Sequence, residues 1–260
     1  MPADAAPEPA PAPEPVPAAV PVKRRRPATR KGRPTLTREL IAEAALEVAG
    51  DEGFPAVTMR RLAEELGVTV RALYRYVDER QEVVDLAAAL FLSRWEVPPL
   101  DPGRWQEGLR TYLEHQRALY RRHPRALLVS LDEQVSPAGI HPNRLRNPEA
   151  LLGLLRGAGL GARDASYVHG DLATRMFAFT LLVDHPADRG ATGDPGTTGA
   201  LPADWAAAHP ELDLPHLTEA ARLPAPTPDE LFEELIRSLL ADITARLERG
   251  SGSGSESESG

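Results

Sequence analysis

Residues 36–90 most constrain what this chain can fold into. Apolar residues recur there at helical spacing in short runs, and each run is cut by a glycine or a capping residue. Leu40, Ile41, Ala44, Ala45 and Val48 make the first run, and Gly50 with Gly53 is expected to break it before Phe54. Thr58 is placed to cap a second helix with Leu62, Ala63 and Leu66 on one face, and Gly67 closes it. Thr69 then caps a third helix that turns Leu73 and Val77 inward and Arg71, Tyr74 and Arg75 outward. Asp78 is expected to cap a fourth, opened by Arg80 and carrying Val83, Val84, Leu86, Ala87, Leu90 and Phe91. The fold class predicted is all-α.

Two helices joined by a short glycine-containing turn, the second polar and basic outside, form a helix-turn-helix. An ordinary αα-hairpin inside a bundle shares that pattern. The segment EVAGDEGFPAVTMRRLAEELGVTVRALYRYV (residues 47–77), followed by Asp78, Glu79, Arg80 and an apolar helix, resembles the DNA-binding domain of the TetR family of bacterial repressors. The matching features are the glycine after helix one, Thr58, the Leu62-Ala63 pair, Gly67-Val68, Leu73-Tyr74, Tyr76 and the basic Arg80. The close likeness covers about residues 36–92. Beyond it the likeness is architectural, to the tetracycline-repressor branch.

Arg71 and Arg75 lie four apart on one face, and arginine can make paired hydrogen bonds to guanine, so they are the candidate base readers. Tyr74 and Tyr76 can each offer a hydroxyl to phosphate, and the resemblance implies that Tyr76 also packs against its own domain. Thr69 can combine its hydroxyl with free backbone amides to hold a phosphate. Thr58, Arg60 and Arg61 at the start of helix two, and Arg80 opening helix four, are placed to grip the flanking backbone. Val70 and Ala72 are small enough to specify little beyond a thymine methyl.

The net charge of −8 suits a DNA binder only once it is divided along the chain. Residues 23–80 hold thirteen Lys/Arg against nine Asp/Glu, a net of +4, and the remainder holds seventeen against twenty-nine, a net of −12. Residues 1–22 are nearly all Pro, Ala, Val and Glu and are expected to be a disordered, polyproline-like extension. Then come Lys23, Arg24, Arg25, Arg26, Arg30, Lys31 and Arg33 without an acidic residue. This is either a solvated charge run or an arm that follows phosphates or enters the minor groove, with Arg30, Lys31 and Arg33 nearest the domain. The absence of cysteine fits a reducing compartment. No apolar run reaches the ~18 residues a membrane helix needs, and the N-terminus lacks a signal-peptide core. The expectation is a bacterial cytoplasmic, nucleoid-associated protein.

The domains expected are an extension with a basic arm (1–33), the helix-turn-helix domain (34–92), a helical effector-binding and dimerisation domain (93–249) and an acidic tail (250–260). In the third, Trp105, Leu109, Tyr112, Leu113, Gln116, Leu119 and Tyr120 predict a helix ending at His123-Pro124. A shorter apolar helix should run from Pro124 to Val135. Asn147-Pro148-Glu149 reads as the start of the next, ending at Gly157. The following helix, about residues 162–184, is apolar on more than one face. Residues 186–202 read as a mobile loop and 214–223 as a short amphipathic segment. Thr227-Pro228-Asp229-Glu230 is a capping box for a last helix expected to stop at Gly250.

The resemblance implies a homodimer joined through the last helix and the one around Phe177, with Met176, Phe177, Leu235, Leu239 and Ile243 at the interface. A dimer would place two reading heads on a palindromic operator. Tyr112, His115, Gln116, His123, Arg175 and Phe179 are the candidates for holding a small, mostly apolar effector. The tetracycline repressor holds a magnesium-bound drug through a histidine near the position of Val129 and Ser130, and no histidine stands there. The resemblance therefore implies induction by some small molecule, with no metal and no other cofactor. Gly157 to Ala162 matches a dinucleotide fingerprint by letter, but it follows a helix and reads as a helix-ending turn. His209, Asp213 and His216 lack a fourth ligand at a metal-site spacing. The function expected is a sequence-specific transcriptional regulator, a repressor released by its effector, and not an enzyme. The alternatives are a helical small-molecule-binding protein or enzyme without specific DNA recognition, and a nonspecific DNA coater using the basic arm.

Overall fold

The structure, a computed structural model, describes residues 29–30, 33–137, 140–190 and 203–253. It divides into two units, residues 1–36 and 37–260. In the first, β1 (Thr29–Arg30) pairs antiparallel with β2 (Arg33–Pro34), with Arg30 opposite Arg33. Lys31 and the Pro/Ala extension lie outside the described residues.

The second unit is all-α. The Thr37 hydroxyl accepts the Leu40 N–H at 3.2 Å and opens α1 (Arg38–Glu52), which buries Ile41, Ala45, Leu46, Val48 and Ala49. Gly50 does not break this helix, which ends only at Gly53. Gly50 serves a close approach instead: a Cβ there would lie 3.1 Å from His123 Nδ1 and 3.2 Å from His123 Cα. Next come α2 (Met59–Leu66), α3 (Val70–Leu73) and α4 (Arg80–Ser93). Asp78 does not cap α4. The capping position is Glu79, without a side-chain bond, and the Glu82 carboxylate reaches back to accept the Asp78 N–H at 2.7 Å. A carboxylate in the first turn satisfies that free amide as well as a cap would.

A 3-10 turn (Pro102–Arg104) capped by Asp101 leads into α5 (Trp105–Arg122), which buries Leu109, Tyr112, Leu113, Gln116 and Tyr120. The helix expected from Pro124 to Val135 is only a 3-10 turn (Pro124–Leu128) and a single α turn, α6 (Val129–Asp132), and the chain is extended at Glu133. The following helix, α7 (Asn143–Gly157), starts a turn before Asn147, and Pro148 lies inside it. Asn147 is not free to cap, because its amide donates to the Trp95 carbonyl at 2.7 Å, beside a 3.1 Å bond from Asn143 to the same oxygen. The Gly157 to Ala162 string is the expected turn, closed by the Leu160 N–H on the Leu155 carbonyl at 3.1 Å.

Helix α8 (Ala162–Phe179) continues through a π-helical turn (Thr180–Asp184) into α9 (His185–Asp188). Residues 186–188 of the expected loop are thus helical, and residues 191–202 lie outside the described part. Two short helices, α10 (Ala203–Ala208) and α11 (Pro215–Ala220), follow, with Trp205, Leu212 and Leu223 exposed. The last helix, α12 (Pro228–Ser253), opens with the expected capping box. The Thr227 N–H donates to Glu230 at 2.7 Å, and the Glu230 N–H donates to the Thr227 hydroxyl at 3.2 Å. It runs past Gly250 to Ser253, and residues 254–260 lie outside the described part.

Helix α12 packs on α8 through Phe232, Ile236, Leu239 and Ile243, with Phe179 and Phe232 ring centroids 5.6 Å apart. Inserted at that seam, Arg117 of α5 donates to both Asp184 oxygens at 2.7 and 2.9 Å, lies 2.9 Å from Asp229 and stacks over Phe232 at 4.4 Å. Among the described residues no helix is long and apolar enough to cross a membrane.

Candidate nucleic-acid interface

The geometry of α2 and α3 follows from local rules. The Thr58 hydroxyl accepts the Arg61 N–H at 3.1 Å and starts α2, whose Met59, Leu62 and Ala63 are buried. Gly67 ends it in the left-handed region (φ 62°), which only glycine adopts without strain, and the Val68 N–H closes on the Ala63 carbonyl at 2.9 Å. The Thr69 hydroxyl then accepts the Ala72 N–H at 3.3 Å and starts α3 at an angle to α2. The regular part of α3 is a single turn, shorter than the sequence suggested, but the winding continues: the Val77 N–H still reaches the Leu73 carbonyl at 3.2 Å. Leu73 and Val77 are buried, while Arg71, Tyr74 and Arg75 face solvent, Tyr74 at 50% exposure. Tyr76 is half-buried, and its carbonyl accepts from Arg38 at 2.7 Å.

The arginines of residues 37–94 separate into two groups. Arg38 pairs with Glu82, Arg60 lies 3.7 Å from Glu64, Arg61 bridges Glu65 and Glu52 at 2.6 and 3.1 Å, and Arg94 pairs with Glu43. Arg80 is held most firmly. Its Nε donates to the Val57 carbonyl at 2.7 Å, its Nη2 donates to the Phe54 carbonyl at 2.8 Å, and its Nη1 donates to Glu133 at 3.0 Å. The hydrogen bonds to Glu133 raise its already high pKa. Arg80 is therefore a strut inside the domain, and it would meet a phosphate only by giving up one of these bonds. Arg61 is likewise engaged by two carboxylates. Arg71 and Arg75 alone of these arginines make no ion pair or side-chain hydrogen bond among the described residues. Unpaired guanidinium groups on the exposed face of a capped helical turn are suited to anions or base edges.

Between this head and the rest, His123 is fully buried at the end of α5, where its Nε2 accepts from Arg94 at 2.9 Å and its ring packs edge-on to Phe91. Burial, with Arg94 beside it, pushes its pKa down to about 4. This histidine is wedged between α1, α4 and α5. Tyr112 and Gln116 do come together, in a buried aromatic layer with Trp95 and Tyr120. Trp95 lies 5.8 Å from Tyr112 and 6.1 Å from Tyr120, and the Gln116 amide donates to the Tyr120 hydroxyl at 2.9 Å. Burial pushes the Tyr120 phenol up to about 12. The Gln116 Oε1 and Trp95 Nε1 atoms are buried without a hydrogen-bond partner. His115 is exposed and donates to the Glu96 carbonyl at 3.0 Å, and Arg175 is exposed beside Asp171. Phe179 belongs to the α8–α12 seam. Of the interface candidates, Met176, Leu239 and Ile243 are buried in this chain's own core, whereas Phe177 is 37% exposed and Leu235 half-exposed. Among the described residues no cluster of His, Cys, Asp and Glu could hold a metal.

No local pattern marks the role of Glu133, whose partner lies 53 residues away. The pairing of Arg60 and Arg61 was visible in principle, because Glu64 and Glu65 stand four residues further on in the same helix.

A capped helix-turn-helix with free arginines, set on a larger helical body, defines the molecule as a helix-turn-helix protein. Residues 41–90 match the family model for bacterial regulatory proteins of the tetR family, and residues 97–247 match the tetracyclin repressor-like C-terminal domain. The chain belongs to the tetR family of bacterial regulatory proteins. The HTH-type transcriptional repressor DrrR1 of Streptomyces coeruleorubidus is 37% identical over 141 residues, which are 52% of this chain and 49% of DrrR1. The tetracycline repressor protein class C of Escherichia coli is 34% identical over 136 residues, 51% of this chain and 59% of that protein. The chain thus spans about half the length of these curated relatives. The crystal structure of apo ActR from Streptomyces coelicolor superposes with a TM-score of 0.57 at 28% identity, covering 82% of this chain and 97% of ActR. ActR has also been solved in complex with actinorhodin (TM-score 0.56, 28% identity, 82% of this chain and 99% of that one).

Proposed function

We propose that this protein is a sequence-specific DNA-binding transcriptional regulator, a repressor whose hold on its operator is relieved by a small molecule. The observation that carries the reading is the pair of unpaired arginines, Arg71 and Arg75, on the exposed side of α3 and of the turn that continues it. Thr58, Thr69, Val70, Tyr74 and Tyr76 would surround the read bases with phosphate and methyl contacts, Arg60 and Arg61 would meet the flanking backbone only by leaving their carboxylates, and Arg30, Lys31 and Arg33 would follow the duplex as an arm. The protein would act as a homodimer on a palindromic operator. A groove of about 380 Å³ between α8 and α12, lined by Arg175, Ala178, Leu182, Leu231 and Leu235, supports an interface there. It would work in the bacterial cytoplasm, at the nucleoid, without catalysing a reaction and without a cofactor. Its domains would be those expected from the sequence. The effector would sit in the body, with Tyr112 and Gln116 as the candidates that the buried aromatic layer supports.

The test is selection of bound duplexes from a random pool by the full chain, then titration of the selected duplex against a scrambled one. A palindrome bound at least ~10³-fold tighter is expected. No enrichment would overturn the proposal and favour a small-molecule-binding protein without specific DNA recognition.

A further inference from the structure

Residues 133–136 form an extended strap along the N-terminal half of α4. Arg80 pairs with Glu133, Gln81 donates to the Gln134 carbonyl at 2.8 Å, and the Ser136 N–H donates to Asp85 at 3.1 Å, joined by the Ser136 hydroxyl. The same strap walls a cavity of about 200 Å³, which Ala88, Leu92, Val135 and Ile140 make apolar and to which Glu133 and Arg144 bring charge. Arg144 is exposed, whereas the Glu133 side chain is only 12% exposed. A carboxylate so enclosed needs a cation. Arg80 now supplies it, while on its other side Arg80 holds the Val57 and Phe54 carbonyls of the turn that leads into α2.

We propose that this cavity takes a small apolar molecule bearing an ammonium group, that the ammonium settles on Glu133 in place of the Arg80 guanidinium, and that the release of Arg80 loosens the turn carrying α2. The proposal rests on the regulator reading for its meaning and names the chemical class of a ligand held apart from the Tyr112 and Gln116 layer. A space of this size admits one aromatic ring with a short chain, so the probes are phenethylamine, 2-phenylethanol and phenylacetate, each titrated calorimetrically into the full chain without DNA at pH 7. The amine should bind at least about 10-fold tighter than the alcohol, since only it makes a charge-assisted bond, and the carboxylate should bind weakest. Glu133→Gln should erase the advantage of the amine. Because that change also leaves Arg80 without its partner, Ile140→Trp is the second variant: it fills the cavity, keeps the Arg80–Glu133 pair and should abolish binding of all three.

Equal affinity for amine and alcohol, an amine advantage that survives Glu133→Gln, or undiminished binding by Ile140→Trp would overturn the proposal. Amide hydrogen exchange over residues 54–66 should quicken when the amine saturates the protein, and unchanged exchange would refute the release of Arg80. None of these measurements uses DNA, so a failed operator selection and a failed cavity are told apart.

Discussion

In α3 and the turn after it the guanidinium groups of Arg71 and Arg75 stand in solvent with no ion pair among the described residues, whereas in α5 Arg117 is enclosed by two carboxylates and two aromatic rings. The two regions use one side chain for opposite ends. Removing Arg117 would leave Asp184, which has no exposed surface, charged and without its two hydrogen bonds, with only the Arg121 guanidinium 4.0 Å away. Removing Arg75 would leave nothing unsatisfied in the protein. The difference teaches where to look for function in a chain with many arginines: a paired guanidinium holds the fold, and an unpaired one on a rigid element is available to something else.

The sharpest way to break this comparison is Arg117→Ala. Loss of one member of a buried ion pair should lower the unfolding free energy by about 3–5 kcal/mol, read by urea denaturation. A change below about 1 kcal/mol would mean that Arg117 is no more structural than a surface arginine.

His123 sharpens it at the boundary between the regions. Its pKa is about 4 in the folded chain, and an unfolded histidine titrates near 6.5. Between those values the unfolded state binds the extra proton, so stability is complete above about pH 6.5, falls as the pH drops, and has lost roughly 3 kcal/mol by about pH 4. His123→Gln should flatten that part of the stability curve. An unchanged slope would place the titrating group elsewhere.

Arg75→Ala tests the other arm. It should cost about 1–3 kcal/mol on the selected duplex and much less on scrambled DNA, while thermal stability stays within about 0.5 kcal/mol of the parent. Equal losses on both duplexes would make Arg75 a phosphate contact rather than a base reader.

The two regions also differed in how far the sequence revealed them. Helices α2 and α3 were legible because each boundary is set within four residues, by Thr58 on Arg61, Gly67 on Ala63 and Thr69 on Ala72. The capping box at Thr227 was legible for the same reason. Asn147 misled because its amide bonds the Trp95 carbonyl, 52 residues back, and no local pattern encodes that partner. Periodicity marked Met176, Leu239 and Ile243 as apolar faces but could not tell a neighbouring helix of the same chain from a second copy. The bonds that hold Arg80 were illegible for a related cause: its position at the head of α4 suggests a phosphate, and the residues that hold it come from two separate places in the chain, the turn of Phe54 and Val57 and the distant Glu133.

The smallest expected effect isolates the local rules from the long-range ones. Thr58→Ala removes the side-chain acceptor of the Arg61 N–H and leaves every buried contact of α2 in place. A lost N-cap costs about 1 kcal/mol. Because α2 has only eight residues and α3 hangs from it through Gly67 and Val68, that loss should fall on the head more than on the body. Hydrogen exchange is therefore the better readout than global melting. Amides of residues 59–73 should exchange faster in Thr58→Ala while those of α5 and α8 keep their protection. If both regions lost protection equally, head and body would unfold as one unit, and the separation between an arginine-presenting head and an arginine-bound body would be a difference of chemistry without a difference of stability.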